Sequence, residues 1–245
     1  MNKKFNVFRP GQTVVDLGFA PGSWSQVAYS ATRPGGRIIG IDLIPAVPPD
    51  GVFSIQGDFL DPRVHQMVKS WLLQQERQKQ TQKEKRKAKS HAVEAEAEAE
   101  AEEDEEEEAQ TLPDTTLPED TTAEPPEEPG PDGDSSAETT TGDSRDVANM
   151  KVVDVVLSDM LMNTSGIAFK DHAASMDLCL TALNFATETL KPGGRFVCKF
   201  YQGAEDKELE LALKNAFDKV FREKPDSSRK ESKEAYFVAL HRKNK

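Results

Sequence analysis

The 245-residue sequence predicts an α/β fold, a mostly parallel sheet with helices on both faces. Three observations carry that expectation. Short apolar runs alternate with longer stretches whose apolar residues recur at helical spacing. Each run closes on a glycine or a charged residue at its carboxyl end. The alternation is broken once, by residues 75–150, and then resumes in phase.

Thr13 to Leu17 reads as a buried strand closed by Gly18, with Ala20-Pro21-Gly22 as the turn and Ser23 to Ala31 as a helix. Arg37 to Ile41 is a second strand ending at Asp42, and Val52 to Ile55 a third ending at Gly57-Asp58. Pro62 to Leu73 suits an amphipathic helix. After the interruption, Val152 to Leu157 is a strand ending at Ser158-Asp159. Asp171 to Leu190 is a long helix, stopped by Lys191-Pro192-Gly193-Gly194. Arg195 to Phe200 is the fifth strand, Asp206 to Phe221 a helix, and Glu234 to Leu240 the last strand.

Residues 75–150 hold almost no large apolar side chains: Glu and Ala alternate from Glu94, acids run together to Glu108, and Pro, Thr, Asp, Glu and Gly follow. Such a segment buries too little to offset its ordering entropy and reads as a disordered acidic insert. One domain is therefore expected in two parts, residues 1–74 and 151–245, around an insert at 75–150. The insert sits in a surface connection, where length costs little. It carries 24 acidic and 8 basic residues, and the rest of the chain 23 basic and 19 acidic. The low pI thus belongs to the insert; the folded part is mildly basic, which permits a nucleic-acid substrate. The acidic insert would repel RNA, so it is expected to extend away or meet a basic partner. Cys179 and Cys198 are too few for a disulfide framework, which points to a reducing compartment. No apolar run approaches the length of a membrane span.

The strand ends carry the chemistry. The first closes in Asp16-Leu17-Gly18-Phe19-Ala20-Pro21-Gly22-Ser23-Trp24, and the next four reach Asp42, Asp58, Asp159 and Lys199. The glycine turn lets a ligand approach the backbone. It lacks the dinucleotide spacing, and Pro21 removes a donor that a pyrophosphate would need. Carboxylates at successive strand ends suit a nucleoside without phosphate, S-adenosylmethionine. Asp42 would accept from the ribose hydroxyls and Asp58 from the adenine amino group. Asp16 and the Gly18 to Gly22 backbone would face the methionine part. Any one of these acids alone reads as a turn cap, and Trp24 alone as core; their recurrence on one rim favours a site. No metal is expected.

With these residues in view, the chain resembles the FtsJ/RrmJ-like family of ribosomal RNA 2′-O-ribose methyltransferases. Val14 to Gln26 is similar to its first motif, Leu157-Ser158-Asp159-Met160 to its aspartate motif, Lys191 to Lys199 to its lysine motif, and Lys224 to Ala239 to its closing motif. The resemblance covers essentially all of the chain outside the insert. It implies a Rossmann-like, seven-stranded methyltransferase fold and a monomer. Its cofactor-binding set would be Asp16, Gly18, Pro21, Gly22, Trp24, Asp42, Asp58 and Asp159. The family uses a Lys-Asp-Lys-Glu tetrad, of which Asp159, Lys199 and Glu234 match the last three. Glu231 lies further from the final strand. The first lysine would precede Met1; Lys3 and Lys4 lack its surroundings. The family's Asp-Met-Ala-Pro-Asn is altered here to Asp159-Met160-Leu161-Met162-Asn163.

The resemblance implies methyl transfer to a ribose 2′-OH of ribosomal RNA, at a uridine of the large subunit, with ribosomal RNA or the pre-ribosomal large subunit as partner. Lys199 would be general base or proton relay, Asp159 would orient it, and Glu234 would position Lys199 or the hydroxyl. By their charge and position before the last strand, Lys224, Arg229, Lys230 and Lys233 suit either contacts to RNA phosphates or an ordinary solvated loop. The wording Ser228-Arg229-Lys230-Glu231-Ser232 is closest to the mitochondrial branch, which implies that compartment, with cytoplasm or nucleus as alternatives. Competing readings are a methyltransferase of another RNA, of a protein or of a small molecule, and a catalytically impaired assembly factor that binds RNA.

Overall fold

A computed structural model describes residues 1–109, 151–225, 228–229 and 231–244. A seven-stranded sheet organises them, in the order β3-β2-β1-β4-β5-β7-β6. The strands are β1 (Thr13–Leu17), β2 (Arg37–Asp42), β3 (Val52–Gln56), β4 (Val153–Ser158), β5 (Leu190–Tyr201), β6 (Phe217–Glu223) and β7 (Glu234–Arg242). The first five pair in parallel; β7 is antiparallel to both β5 and β6. The helices are α1 (Asn2–Phe5), α2 (Ser23–Thr32), α3 (Pro62–Ala109), α4 (Ala168–Thr189) and α5 (Asp206–Ala216).

Alternation along each strand divides the core. Val15, Leu17, Ile39, Ile41, Phe196 and Phe237 pack under Val68 and Leu72 of α3, Met176 and Leu183 of α4 and Leu209 of α5. On the other face, Val14, Ile38, Leu157, Val197 and Val238 pack with Ala28 of α2 and with Val7 and Phe8. Strands β1, β2 and β4 are buried almost throughout, so they read as apolar runs, whereas the edge strands β3 and β6 mix buried and exposed residues. The order places β1 and β4 side by side at the centre, where the direction of strand progression reverses; their carboxyl ends form the crevice that such sheets use for ligands.

Three expectations need correction. The helix expected from Asp206 to Phe221 ends at Ala216, and Phe217 to Glu223 is the edge strand β6. Phe217, Val220 and Phe221 fall at helical spacing by accident. Pairing with β7 overrides that pattern.

The stop at Lys191-Pro192-Gly193-Gly194 lies inside β5 as an irregularity. Leu190 pairs with Val153 and Arg195 with Val155, so these residues bulge opposite Asp154, and Lys191 Nζ reaches its carboxylate at 3.2 Å.

The third concerns the insert. The chain divides into two units, Met1–Glu76 with Gly142–Lys245, and Arg77–Thr141. The expected disorder from Gln75 is replaced by helix as far as Ala109. No Gly or Pro occurs between Arg63 and Leu112, and Ala, Glu, Gln, Lys and Arg are strong helix formers. Residues 81–90 are all exposed, so propensity rather than burial accounts for the helix there. Residues 110–150 of the insert, and Lys230, lie outside the described residues.

Candidate active site

A cleft of about 600 Å³ opens at the carboxyl ends of β1, β2, β3, β4 and β5, and Gly18, Asp42, Asp58, Asp159 and Lys199 line it. The sheet explains the gathering. Parallel strands present their carboxyl ends together, and the residue after each strand turns out over the rim. Gly18 N donates to Ile41 O at 2.8 Å and Asp159 N to Leu17 O at 2.9 Å, extending the ladder one residue into the loops.

Each member can be placed. Gly18 has φ +75°, and an added Cβ would lie 2.8 Å from Met160 backbone atoms, so no other residue fits there without a shift. Asp42 accepts from Ala20 N at 2.9 Å and Ile44 N at 2.8 Å, which ties the glycine turn to the end of β2. Asp58 accepts from Leu60 N at 2.9 Å. Both acids therefore cap local turns, yet a carboxylate has about four lone-pair sites and keeps capacity for a ligand.

Asp16, expected among the cofactor-binding residues, is fully buried on β1 and does not line the cleft; Ser25 Oγ donates to its Oδ2 at 2.6 Å. Its Oδ1 has no hydrogen-bond partner. Burial pushes the carboxyl up to about 7; the charges of Asp159 and Asp42 add to that, and the Ser25 bond opposes it.

Lys199 and Asp159 form an ion pair at 3.1 Å, with side chains 10% and 25% exposed. Tyr236, which sequence reasoning did not single out, donates its hydroxyl to the same Asp159 oxygen at 3.1 Å. Tyr236 is the direct cross-strand partner of Lys199, so the β5–β7 register brings the two groups together. Burial, and then the Asp159 charge, raises the Tyr236 hydroxyl well above its usual range, so it stays a donor. The only signal was period two: Tyr236 shares a strand face with Glu234.

Four further expected members stand apart from the cleft lining. Trp24 does not line the cleft. Its ring stacks on Tyr236 (centroids 5.5 Å, planes 26° apart) and borders a separate, mainly apolar cavity of about 280 Å³ with Phe8, Val27 and Leu157. Its place one turn into α2 aims it across the sheet rather than over the rim. Glu234 lies opposite Tyr201, two pairs beyond the Lys199–Tyr236 level, and no ion pair joins it to Lys199 among the described residues. Pro21 is exposed and Gly22 buried against Pro49; neither lines the cleft.

The residues present fit S-adenosylmethionine. Gly18 and Ala20 line the cleft beside the carboxylate at the end of β2, and a second carboxylate, Asp58, stands beyond β3. Among the described residues no cluster of His, Cys, Asp and Glu is arranged to hold a metal ion.

Comparison with known proteins agrees with this geometry. The family model described as FtsJ-like methyltransferase matches residues 1–242. The chain is 36% identical over 244 residues to the protein named rRNA methyltransferase 2, mitochondrial, of Schizosaccharomyces pombe, spanning 99% of this chain and 82% of that one. It is 32% identical over 238 residues to Ribosomal RNA large subunit methyltransferase E of Thiobacillus denitrificans, spanning 97% and 74%. A solved Plasmodium falciparum structure, described as a ribosomal RNA methyltransferase, superposes with a TM-score of 0.59 over 100% of this chain and 93% of that one, at 20% identity; it bears on the fold. With a sheet of this order, a cleft built from its strand ends and a family match over nearly its whole length, the chain belongs to the FtsJ-like methyltransferase family and uses S-adenosylmethionine as methyl donor.

Proposed function

We propose that this chain methylates a ribose 2′-hydroxyl of ribosomal RNA, at a uridine of the large-subunit RNA, inside mitochondria. The observation that carries the reading is the Lys199–Asp159 pair at the mouth of a cleft that also holds Asp42 and Asp58. The names of the relatives, mitochondrial enzymes of two yeasts and bacterial large-subunit enzymes, support the substrate and the compartment.

S-adenosylmethionine supplies a methyl group already activated on a sulfonium. What remains for the protein is alignment of the hydroxyl and removal of its proton. Lys199 Nζ, as the neutral amine once its own proton has passed to solvent, would take that proton as the new O–C bond forms and the methyl–sulfur bond breaks. Asp159 holds Lys199 from one side while Tyr236 fixes the carboxylate from the other. Glu234 positions the incoming ribose from two pairs further along β5 and β7. Asp42 would hold the ribose of the cofactor, Asp58 its adenine, and the backbone at Gly18 and Ala20 its methionine end.

The test is methyl transfer to protein-free and ribosomal large-subunit RNA, with the product position mapped by its resistance to alkaline cleavage. Lys199→Ala should lower kcat by roughly 10²- to 10⁴-fold, the range of general acid–base catalysis, with cofactor affinity retained. Turnover that survives this change, or product on a base rather than a ribose, removes the reading.

A further inference from the structure

The strand end beside Lys199 is held from two sides. From α4, His172 Nδ1 lies 2.8 Å from Tyr201 O, and Ser175 Oγ accepts from Tyr201 N at 2.9 Å. From the loop before β7, Lys233 O accepts from Gln202 N at 2.9 Å. The first two turns of α4 and the loop entering β7 are thus fastened to one rim, within three residues of Lys199. Their charges also meet: Ser165 N–H first, and Lys233 among the lesser causes, hold the Asp171 carboxyl below its usual range.

At the start of α4, Ile167 and Phe169 are 53% and 75% exposed, and exposed Lys170 follows them. Among the described residues of the loop from Lys224 to Lys233, Arg229 and Lys233 are exposed, against one exposed acid, Glu231. Asp171, in the first turn of α4, is buried and turned inward onto Ser165 N and Oγ at 2.7 and 2.8 Å. A bare aromatic ring flanked by cations is the pairing that single-stranded RNA selects: the ring stacks on a base of any identity, and the cations meet phosphates. A protein partner would match the apolar side chains but not the surplus of cations.

We propose that Phe169, supported by Ile167 and Lys170 and faced by Arg229 and Lys233, is a docking surface for the single-stranded RNA next to the methylated nucleotide, with Phe169 as the stacking platform for one base. This rests on RNA being the substrate, as argued above.

The experiment measures binding of a large-subunit RNA fragment, and methyl transfer to it, for the full chain and for Phe169→Ala, Phe169→Trp and Lys233→Glu. S-adenosylmethionine affinity serves as the control for folding. Phe169→Ala should weaken RNA binding roughly 5- to 150-fold, the range for one stacked base, with a matching rise in KM and kcat retained at saturating RNA. Phe169→Trp should restore it. Lys233→Glu should reduce the slope of log affinity against log salt by about 0.7 to 0.9. RNA affinity unchanged in Phe169→Ala overturns the proposal and assigns the patch to a protein partner. Loss of cofactor affinity in that variant overturns it too, because the residue would then be structural. A wild-type chain that neither binds nor methylates RNA is a different failure, that of the substrate reading itself.

Discussion

Replacing Asp16 with asparagine should make the protein more stable at neutral pH, and by an amount that grows with pH. Asp16 is fully buried on β1, has one hydrogen bond from Ser25, and leaves Oδ1 without a partner. Its carboxyl is raised from 3.8 to about 7, first by burial and then by Asp159 and Asp42. An acid whose folded value exceeds its unfolded value holds more protons in the folded state between the two. Its contribution is intact below about 4 and is lost as pH rises through about 7. For this shift, the loss should grow by about 2.5 kcal/mol between pH 5 and pH 8. The neutral amide of the Asp16→Asn variant would escape that loss.

The assay is urea unfolding of both proteins at pH 5, 6, 7 and 8, taking the difference between them at each pH so that all other titrating groups cancel. The difference should widen steadily in favour of Asp16→Asn and level off above pH 8. A difference that stays flat from pH 5 to 8 would refute the reasoning, since it would mean that Asp16 ionises normally in the folded state. The same variant should bind S-adenosylmethionine more weakly, which would show stability given up at a working site.

Two further outcomes follow from the geometry. Tyr236→Phe keeps the ring against Trp24 but removes the hydroxyl that fixes Asp159, so kcat should fall roughly 10-fold, the lower range for a hydrogen bond to a charged group, with cofactor affinity unchanged; steady-state kinetics with a wild-type kcat would show that Asp159 needs no such support. Gly18→Ala forces a side chain into the left-handed region and against Met160, costing about 1–2 kcal/mol for the backbone alone; calorimetric titration should show cofactor affinity lost, and retained affinity would mean that the turn does not form the cleft floor.

The apolar runs and their terminal residues made much of this protein legible in sequence. A strand buried on both faces must be apolar throughout, so β1, β2 and β4 announced themselves, and parallel strands must expose their carboxyl ends together, so Gly18, Asp42, Asp58, Asp159 and Lys199 could be expected on one rim. Edge strand β6 was hidden because Phe217, Val220 and Phe221 satisfy a helical period as well as an edge strand's loose one, and only hydrogen bonds to β7 decide between them. Helix α3 ran past its expected end because a polar segment can still consist of helix formers. Tyr236 and Trp24 depended on register. One strand must lie beside another at a set offset before a hydroxyl 77 positions away in the chain meets Asp159, and before an indole on α2 turns away from the cleft to stack on that same tyrosine. Strand identity and rim chemistry are local properties of residue type and order. Which groups touch is a property of pairing between distant segments, and only the assembled sheet decides it.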